Sequence, residues 1–423
     1  MVAKPGHPQR RYRPALGGLF TLVIAAASSS CSPSNNDLQG RLHVLVATAS
    51  DEELSTSHQD NILKNARFLA SEFNKLHPKV SFTFSVAREG DLETLIARRQ
   101  WMGLGPDLVL TSTRSATRLH AQGHSQPVTL KTSLLHQLDQ SALQRLRRRD
   151  GTLSGIPMTR YPDLACYNTE SLGSAPPKTL RELLLLEQRG LESGLAIEDR
   201  HLLWSAGAFG ADGTLAELLN GARATDERRL TLRRWLTWLR DANQVAGIYF
   251  LNSMNQLAEQ LEQGKLDWIM CNSWMIPRLR QALGPKLGVA VLPRGTEGEP
   301  SRIIRQQVWV LTHARHSRQQ ALAEALVRFS VNSPFQALFS LTRSNSLPVN
   351  TVVAPQISHQ DPTVRTMVAA SRHRPGSLAL AEAIAQHDDK MPAINQVLRQ
   401  VIDSEVSLDE GLRTLILRVQ PAP

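Results

Sequence analysis

The sequence predicts an α/β protein of two lobes. At 423 residues the chain is longer than one simple core organises, and its opening segments alternate strand, helix, strand, helix, strand, the pattern of parallel strands joined by right-handed crossovers. An apolar fraction of 41% with no long low-complexity tract keeps the chain in the globular class.

The elements follow in order. Leu42–Val46 in "RLHVLVATA" is a short apolar strand. "NILKNARFLASEFNKLHP" places Ile62, Leu63, Ala66, Leu69, Ala70, Phe73 and Leu76 at helical spacing, and Pro78 ends it. "KVSFTFSV" alternates, with Val80, Phe82, Phe84 and Val86 on one face of a strand. "DLETLIARRQWM" is a second helix and Asp107–Leu110 a third strand. In open sheets of this kind ligands sit beyond the carboxyl ends of the strands. Here those ends are Thr48–Asp60, Ala87–Gly90 and Thr111–Arg114. A block punctuated by Pro and Gly, Gly151 to Leu186, follows around one extended segment, and its helix starts at a capping box of Thr179 and Glu182. "ERRLTLRRWLTWLRDANQ" is a helix whose Trp235 and Trp238 read as packing residues. "NQLAEQLEQGK" is another, closed by Gly264. It leads into "KLDWIMCNSW", an apolar strand with Trp274 just past its end. "LGVAVLP" and "RQQVWVLTH" are later strands, Ser317 with Gln320 reads as a second capping box, and Ser407 caps the closing helix.

The formal charge is +10, but Lys4, Arg10, Arg11 and Arg13 precede any acid, and setting them aside leaves 44 basic against 38 acidic residues. That excess is mild, and the run Arg145–Arg149 lacks the aromatics or motif of a nucleic-acid stripe, so it reads as a solvated helix end. There is no GxSxG, HExxH, Walker or GxGxxG motif. "QHDD", His387 to Asp389, reads as an exposed turn rather than a metal site. Cys166 and Cys271 each sit in an apolar run without CxxC spacing, and buried free thiols are the preferred reading over a disulfide. No cofactor or metal is implied.

The N-terminus carries a basic segment, then the nine residues Leu19–Ala27, too short to span a bilayer, then small residues: an export signal. "ASSSC" resembles a bacterial lipoprotein box that would lipidate Cys31, although Ser28 stands where a leucine-like residue is usual. Cleavage after Ala25–Ala27 is the alternative. The expected organisation is a signal peptide over 1–31 and a flexible tether over 32–39.

Six segments in order resemble the extracellular solute-binding proteins of ABC importers, in the sugar-binding group that includes maltose-binding protein. They are "FLASEFNKLHPKVSFTFSV", "GPDLVLTSTRSATRLHAQGHSQPV", "GTLSGIPMTRYPDLACYNTESLGSAPPKTLRELL", "LEQGKLDWIMCNSWMI", "VAVLPRGTEGEPSR" and "VNSPFQALFSLTRSNSLPVN". The resemblance implies the two-lobed periplasmic-binding-protein fold, each lobe a mostly parallel sheet flanked by helices, with a ligand cleft between lobes. One lobe would take 40–158 and 301–344, the other 159–300 and 345–423. It also implies a non-enzymatic, exported, monomeric receptor that passes a small carbohydrate-like solute to ABC permease subunits, touching the membrane only through its lipid and binding no nucleic acid. A sensor or scaffold without transport, or a secreted lipoprotein enzyme acting on glycans, are the alternatives. Carried over residue by residue, Trp274 would stack on a sugar face, Tyr161 would contact ligand, and Arg160 would donate to hydroxyls. Trp204, Thr111, Ser112, Arg114 and Asp51 or Glu52 would complete the site. Aromatics make up 5% of the chain, too few for a long oligosaccharide, so a mono- or disaccharide, a glycoside osmolyte or a polar phosphate-bearing solute fits better.

Overall fold

Two mixed sheets divide the chain between them. In this computed structural model the described residues are 38–420, except 49–55, 149, 174, 198–199, 303, 314–315, 341, 343–345, 354–360 and 373. The export signal, the tether, Cys31, Asp51 and Glu52 therefore lie outside the described residues.

The opening alternation forms as expected: β1 (Gly40–Thr48), helix α1 (Thr56–Leu76), β2 (Val80–Arg88), helix α2 (Leu92–Trp101), β3 (Leu108–Ser112) and helix α3 (Thr113–Ala121). β1 pairs in parallel with both β2 and β3. The helical face of α1 buries Leu63, Leu69 and Phe73 against that sheet, and Leu76, last in the helix, is already exposed. The remaining strands are β4 (Ser125–Gln126), β5 (Ile156–Tyr161), β6 (Asp163–Asn168), β7 (Ser193–Ala196), β8 (Ile248–Leu251), β9 (Trp268–Asn272), β10 (Leu287–Ala290), β11 (Arg305–Thr312) and β12 (Leu347–Pro348). One sheet has the order β12-β5-β11-β3-β1-β2, with β4 also on β11. The other is β10-β6-β9-β7-β8.

The expectation of mostly parallel sheets is corrected by the pairing. β11 lies antiparallel between β3 and β5, and β5 is antiparallel to β12. In the second sheet β6 is antiparallel to β9 and β10, while β7 is parallel to β8 and β9. The cause is topological: strands that enter from the other lobe need no crossover helix, so nothing forces them to run parallel.

Each sheet carries its own apolar core. The first gathers residues between Leu42 and Met158 with Val308 to Val349, and the second residues between Leu164 and Leu292 with a late set from Leu347 to Val419. Trp309 in the first core donates Nε1–H to Ser330 Oγ at 2.9 Å, and Trp235 in the second donates to Ser205 Oγ at 2.8 Å. Both indoles are thus buried with their polar atom satisfied. Trp238 is buried as well, so the packing role expected of this pair is what the fold uses.

The three cap assignments divide. Thr179 and Ser407 accept from the backbone N–H groups of Glu182 and Glu410, as expected. Ser317 is already inside its helix, and His316 stands at the N-cap with no side-chain bond. The reciprocal capping box is instead Ser253 with Gln256, each side chain taking the other's backbone N–H.

The cysteines are also corrected. Cys166 on β6 and Cys271 on β9 form a disulfide, their Cα atoms 5.8 Å apart and 105 residues apart in sequence. Cys271 is in register with Leu164 and Cys166 with Ile269, so the pair is diagonal on one face of two antiparallel neighbours. Two runs that look unrelated along the chain are adjacent in the sheet.

Candidate functional site

β9 is wholly buried, and polarity returns at Asn272, which is itself 0% exposed. A buried amide must find partners, and Asn272 finds them on the strand that passes between the sheets. Its Nδ2 donates to the Tyr161 carbonyl at 3.0 Å and to Asp163 Oδ1 at 2.7 Å. Its Oδ1 accepts from Trp274 N at 3.3 Å, and Ser273 N donates to the Pro162 carbonyl at 3.0 Å. Tyr161-Pro162-Asp163 is where β5 of one sheet ends and β6 of the other begins. Pro162 has no N–H to offer a ladder, so the chain can leave one sheet there for the next.

Trp274 follows in a single 3-10 turn, Ser273–Met275. Met275 and Ile276 point into the second core at 0% exposure, whereas Trp274 is 37% exposed. A large flat ring is therefore held at the base of the crossing strand with part of its surface in solvent.

On the other lobe the carboxyl ends of β2 and β3 are joined by Glu89, a residue that sequence reasoning passed over. Its carboxylate accepts from Thr111 Oγ (3.2 Å), Ser112 N (2.9 Å) and Ser112 Oγ (3.0 Å). Ser112 also caps α3 by accepting from Ser115 N. Thr111 is buried and Ser112 half-buried, so this pair orders the loop. Arg114, two residues on, forms an ion pair with Asp388, which also pairs with Arg200. The "QHDD" turn has Gln386 and Asp389 exposed as expected, but Asp388 is half-buried in a short 3-10 turn, Asp388–Lys390, and holds arginines from both lobes. Among the described residues no group of three or more metal-ligating side chains converges.

Residues 69–366 match the family described as bacterial extracellular solute-binding protein. The chain belongs to that family. No curated protein matches it in sequence. Solved structures share its fold. The GacH receptor of Streptomyces glaucescens, determined unliganded and with acarbose, superposes with TM-score 0.67 at 18% identity, covering 88% of this chain and 96% of that one. The Thermus thermophilus maltotriose binding protein gives 0.69 at 15% identity, with 89% and 98% covered. An ABC transporter solute-binding protein from Thermotoga lettingae bound with α-D-tagatose gives 0.68 at 13%, with 90% and 99% covered. The family is one of extracellular binding proteins, which implies export, and among the described residues no helix is long and apolar enough to cross a membrane.

The remaining residues expected in the site of this solute-binding protein are engaged structurally. Arg160 is 6% exposed. Its Nη1 pairs with Asp139 at 2.5 Å and its Nη2 donates to the Pro348 carbonyl at 3.3 Å. Burial pushes its guanidinium below the ordinary value, and Asp139 pulls it back. Tyr161 is buried, its hydroxyl donating to Gln307 Oε1 at 3.2 Å, and burial pushes the phenol up to about 12. Trp204 is 1% exposed, edge-on to Trp238 with centroids 6.4 Å apart, so it packs in the second core and presents no open face. Its backbone still serves the junction: the Trp204 carbonyl accepts from Ser301 N at 2.7 Å on the segment that leads back to β11. That approach needs Gly207, where a Cβ would lie 2.5 Å from Ser301 N. In the basic run at the helix end Arg147 is exposed as expected, but Arg145 turns inward to donate to the Ile304 carbonyl (2.5 Å) and Gln306 Oε1 (2.7 Å).

Proposed function

We propose that this protein is the receptor of an ABC importer, capturing a small carbohydrate-like solute between its lobes and presenting it to membrane permease subunits. The observation that carries this reading is Trp274: a half-exposed ring, fixed by Asn272 and Ser273 to the strand between lobes, where it can cover the C–H face of a sugar. The carbohydrates named for the fold neighbours, acarbose, maltotriose and tagatose, support the solute class. The lobes interleave in sequence, 40–158 with 301–344 against 159–300 with 345–423, a reading supported by β11 joining the first sheet, although β5 runs on to Tyr161 and β12 (Leu347–Pro348) also belongs to the first sheet. Cys31 carries the lipid that tethers a monomeric receptor to the membrane.

Trp274→Ala should weaken binding of a neutral sugar, chosen by thermal-shift screening of mono- and disaccharides, by roughly 1–3 kcal/mol. Global stability should change little, because the ring lies past the packed part of β9. Calorimetry and denaturant unfolding on the same variant check this. A strong stability loss of about 3–5 kcal/mol with unchanged affinity would make Trp274 a core residue. For the anchor, intact mass of the exported protein should show a diacylated or triacylated N-terminus at Cys31. An unmodified N-terminus at Ser28 would remove the lipid and leave export standing.

A further inference from the structure

One contact between the lobes is a cluster of charge. Arg114, on the first turn of α3 beyond the carboxyl end of β3, and Arg200, in the segment after β7, each hold a different oxygen of Asp388. Their side chains are 38% and 23% exposed, and that of Asp388 is 17% exposed, so the triad sits partly out of solvent, where ion pairing is less screened. More guanidinium lies close by. Arg145 is held by neutral acceptors, a carbonyl and a glutamine amide. Arg305 on β11 donates to the ring of His201 at 3.0 Å, which makes that imidazole an acceptor. Arg145 is pushed down to about 10, first by burial and then by the charge of Arg160, with Arg200 adding to the effect, so these cations stand near enough to repel one another. Asp139 and Glu382 act in the other direction. Five arginines thus share the junction with three carboxylates.

Two guanidinium groups gripping one carboxylate form a fork that fits a phosphate or a carboxylate with equal geometry. We propose that the solute is anionic, a small sugar bearing a phosphate or carboxylate group, and that Arg114 and Arg200 receive this group in place of Asp388. The proposal rests on the receptor reading and narrows its solute class. Asp388 then acts as an internal competitor: it keeps the arginines paired while the cleft is empty and is exchanged for the solute's anion. The exchange keeps both guanidinium groups paired throughout, and its cost is the release of the Asp388 carboxylate, so neutralising that side chain favours the solute.

The test is calorimetric titration of the purified protein at low ionic strength with glucose, glucose 6-phosphate, glucuronate and inorganic phosphate. At least one charged sugar should bind about tenfold or more tighter than glucose, and the two charged sugars distinguish phosphate from carboxylate. Added salt should erode that preference while leaving glucose binding unchanged. Arg114→Gln and Arg200→Gln should each abolish most of the preference. Asp388→Asn should strengthen binding of the charged sugar several-fold, and as a gain of affinity it cannot be mistaken for misfolding. Glucose binding as tightly as its charged counterparts, with the arginine variants unaltered, would overturn the proposal and leave the carbohydrate receptor standing. Binding of none of the four probes, or of inorganic phosphate alone, would overturn the proposal, and a thermal-shift panel of neutral sugars that also came back empty would take the receptor reading with it.

Discussion

Denaturant unfolding of a Cys166→Ala, Cys271→Ala double variant should show a loss of about 2–5 kcal/mol relative to the disulfide-bonded protein. The bridge closes a loop of 105 residues. In chain-entropy terms, closing a loop near a hundred residues restrains the unfolded state by about 4.7 kcal/mol. Both cysteines are 0% exposed on central strands of the five-stranded sheet, so the alanines also leave small voids. Reductant added to the folded protein should act slowly, because the sulfurs are out of reach until the sheet opens. Guanidinium unfolding with and without reductant measures the effect. An unchanged midpoint in the variant, or two free thiols titrated in the denatured exported protein, would show that the bridge is not formed.

The second large effect is expected at Arg160. Arg160→Met should cost roughly 3 kcal/mol of stability, the low end for a broken buried pair. The loss is moderated because Asp139 keeps other donors, Ala142 N at 2.9 Å and Ser141 Oγ, and its side chain is 17% exposed. The double variant Arg160→Met, Asp139→Asn should lose less than the sum of the single losses, since the stranded charge is gone. Sugar affinity per folded molecule should be unchanged. A variant of full stability with weakened binding would return Arg160 to the ligand.

The legible parts of the fold were those with long periods. The α1 pattern and the β2 alternation each extend far enough for one face to declare itself, and parallel pairing follows from the alternation of elements. β7 and β8, four residues each, carry too few alternations to separate strand from loop. Strand direction in β11 was hidden because it depends on where the chain returns from, which no local pattern records. The site divides in the same way. The part-exposed position of Trp274 was legible, because a tryptophan directly after an apolar run is out of place in a core. Asn272, Glu89 and Asp388 were not, since each is an ordinary polar residue whose side chain joins parts of the chain far apart in sequence: Glu89 to Ser112 is 23 apart, Asn272 to Asp163 is 109, and Arg200 to Asp388 is 188. Arg160 and Trp204 read as ligand contacts for a related reason: a side chain near a cleft in sequence can still be turned into the wall.

The placement of β11 between β3 and β5 has a consequence for biogenesis. The centre of the first sheet stays open until a strand that is made after the whole second sheet arrives. A chain emerging N-terminus first would therefore present β1, β2 and β3 with an unpaired interior edge for most of its emergence, the state that invites association with other chains. Completion of the two lobes is kinetically ordered, and the earlier one in the chain finishes later than its position suggests. Folding should accordingly be slow, governed by a long-range strand insertion rather than by local collapse, and a holdase that shields that edge during export would raise the yield.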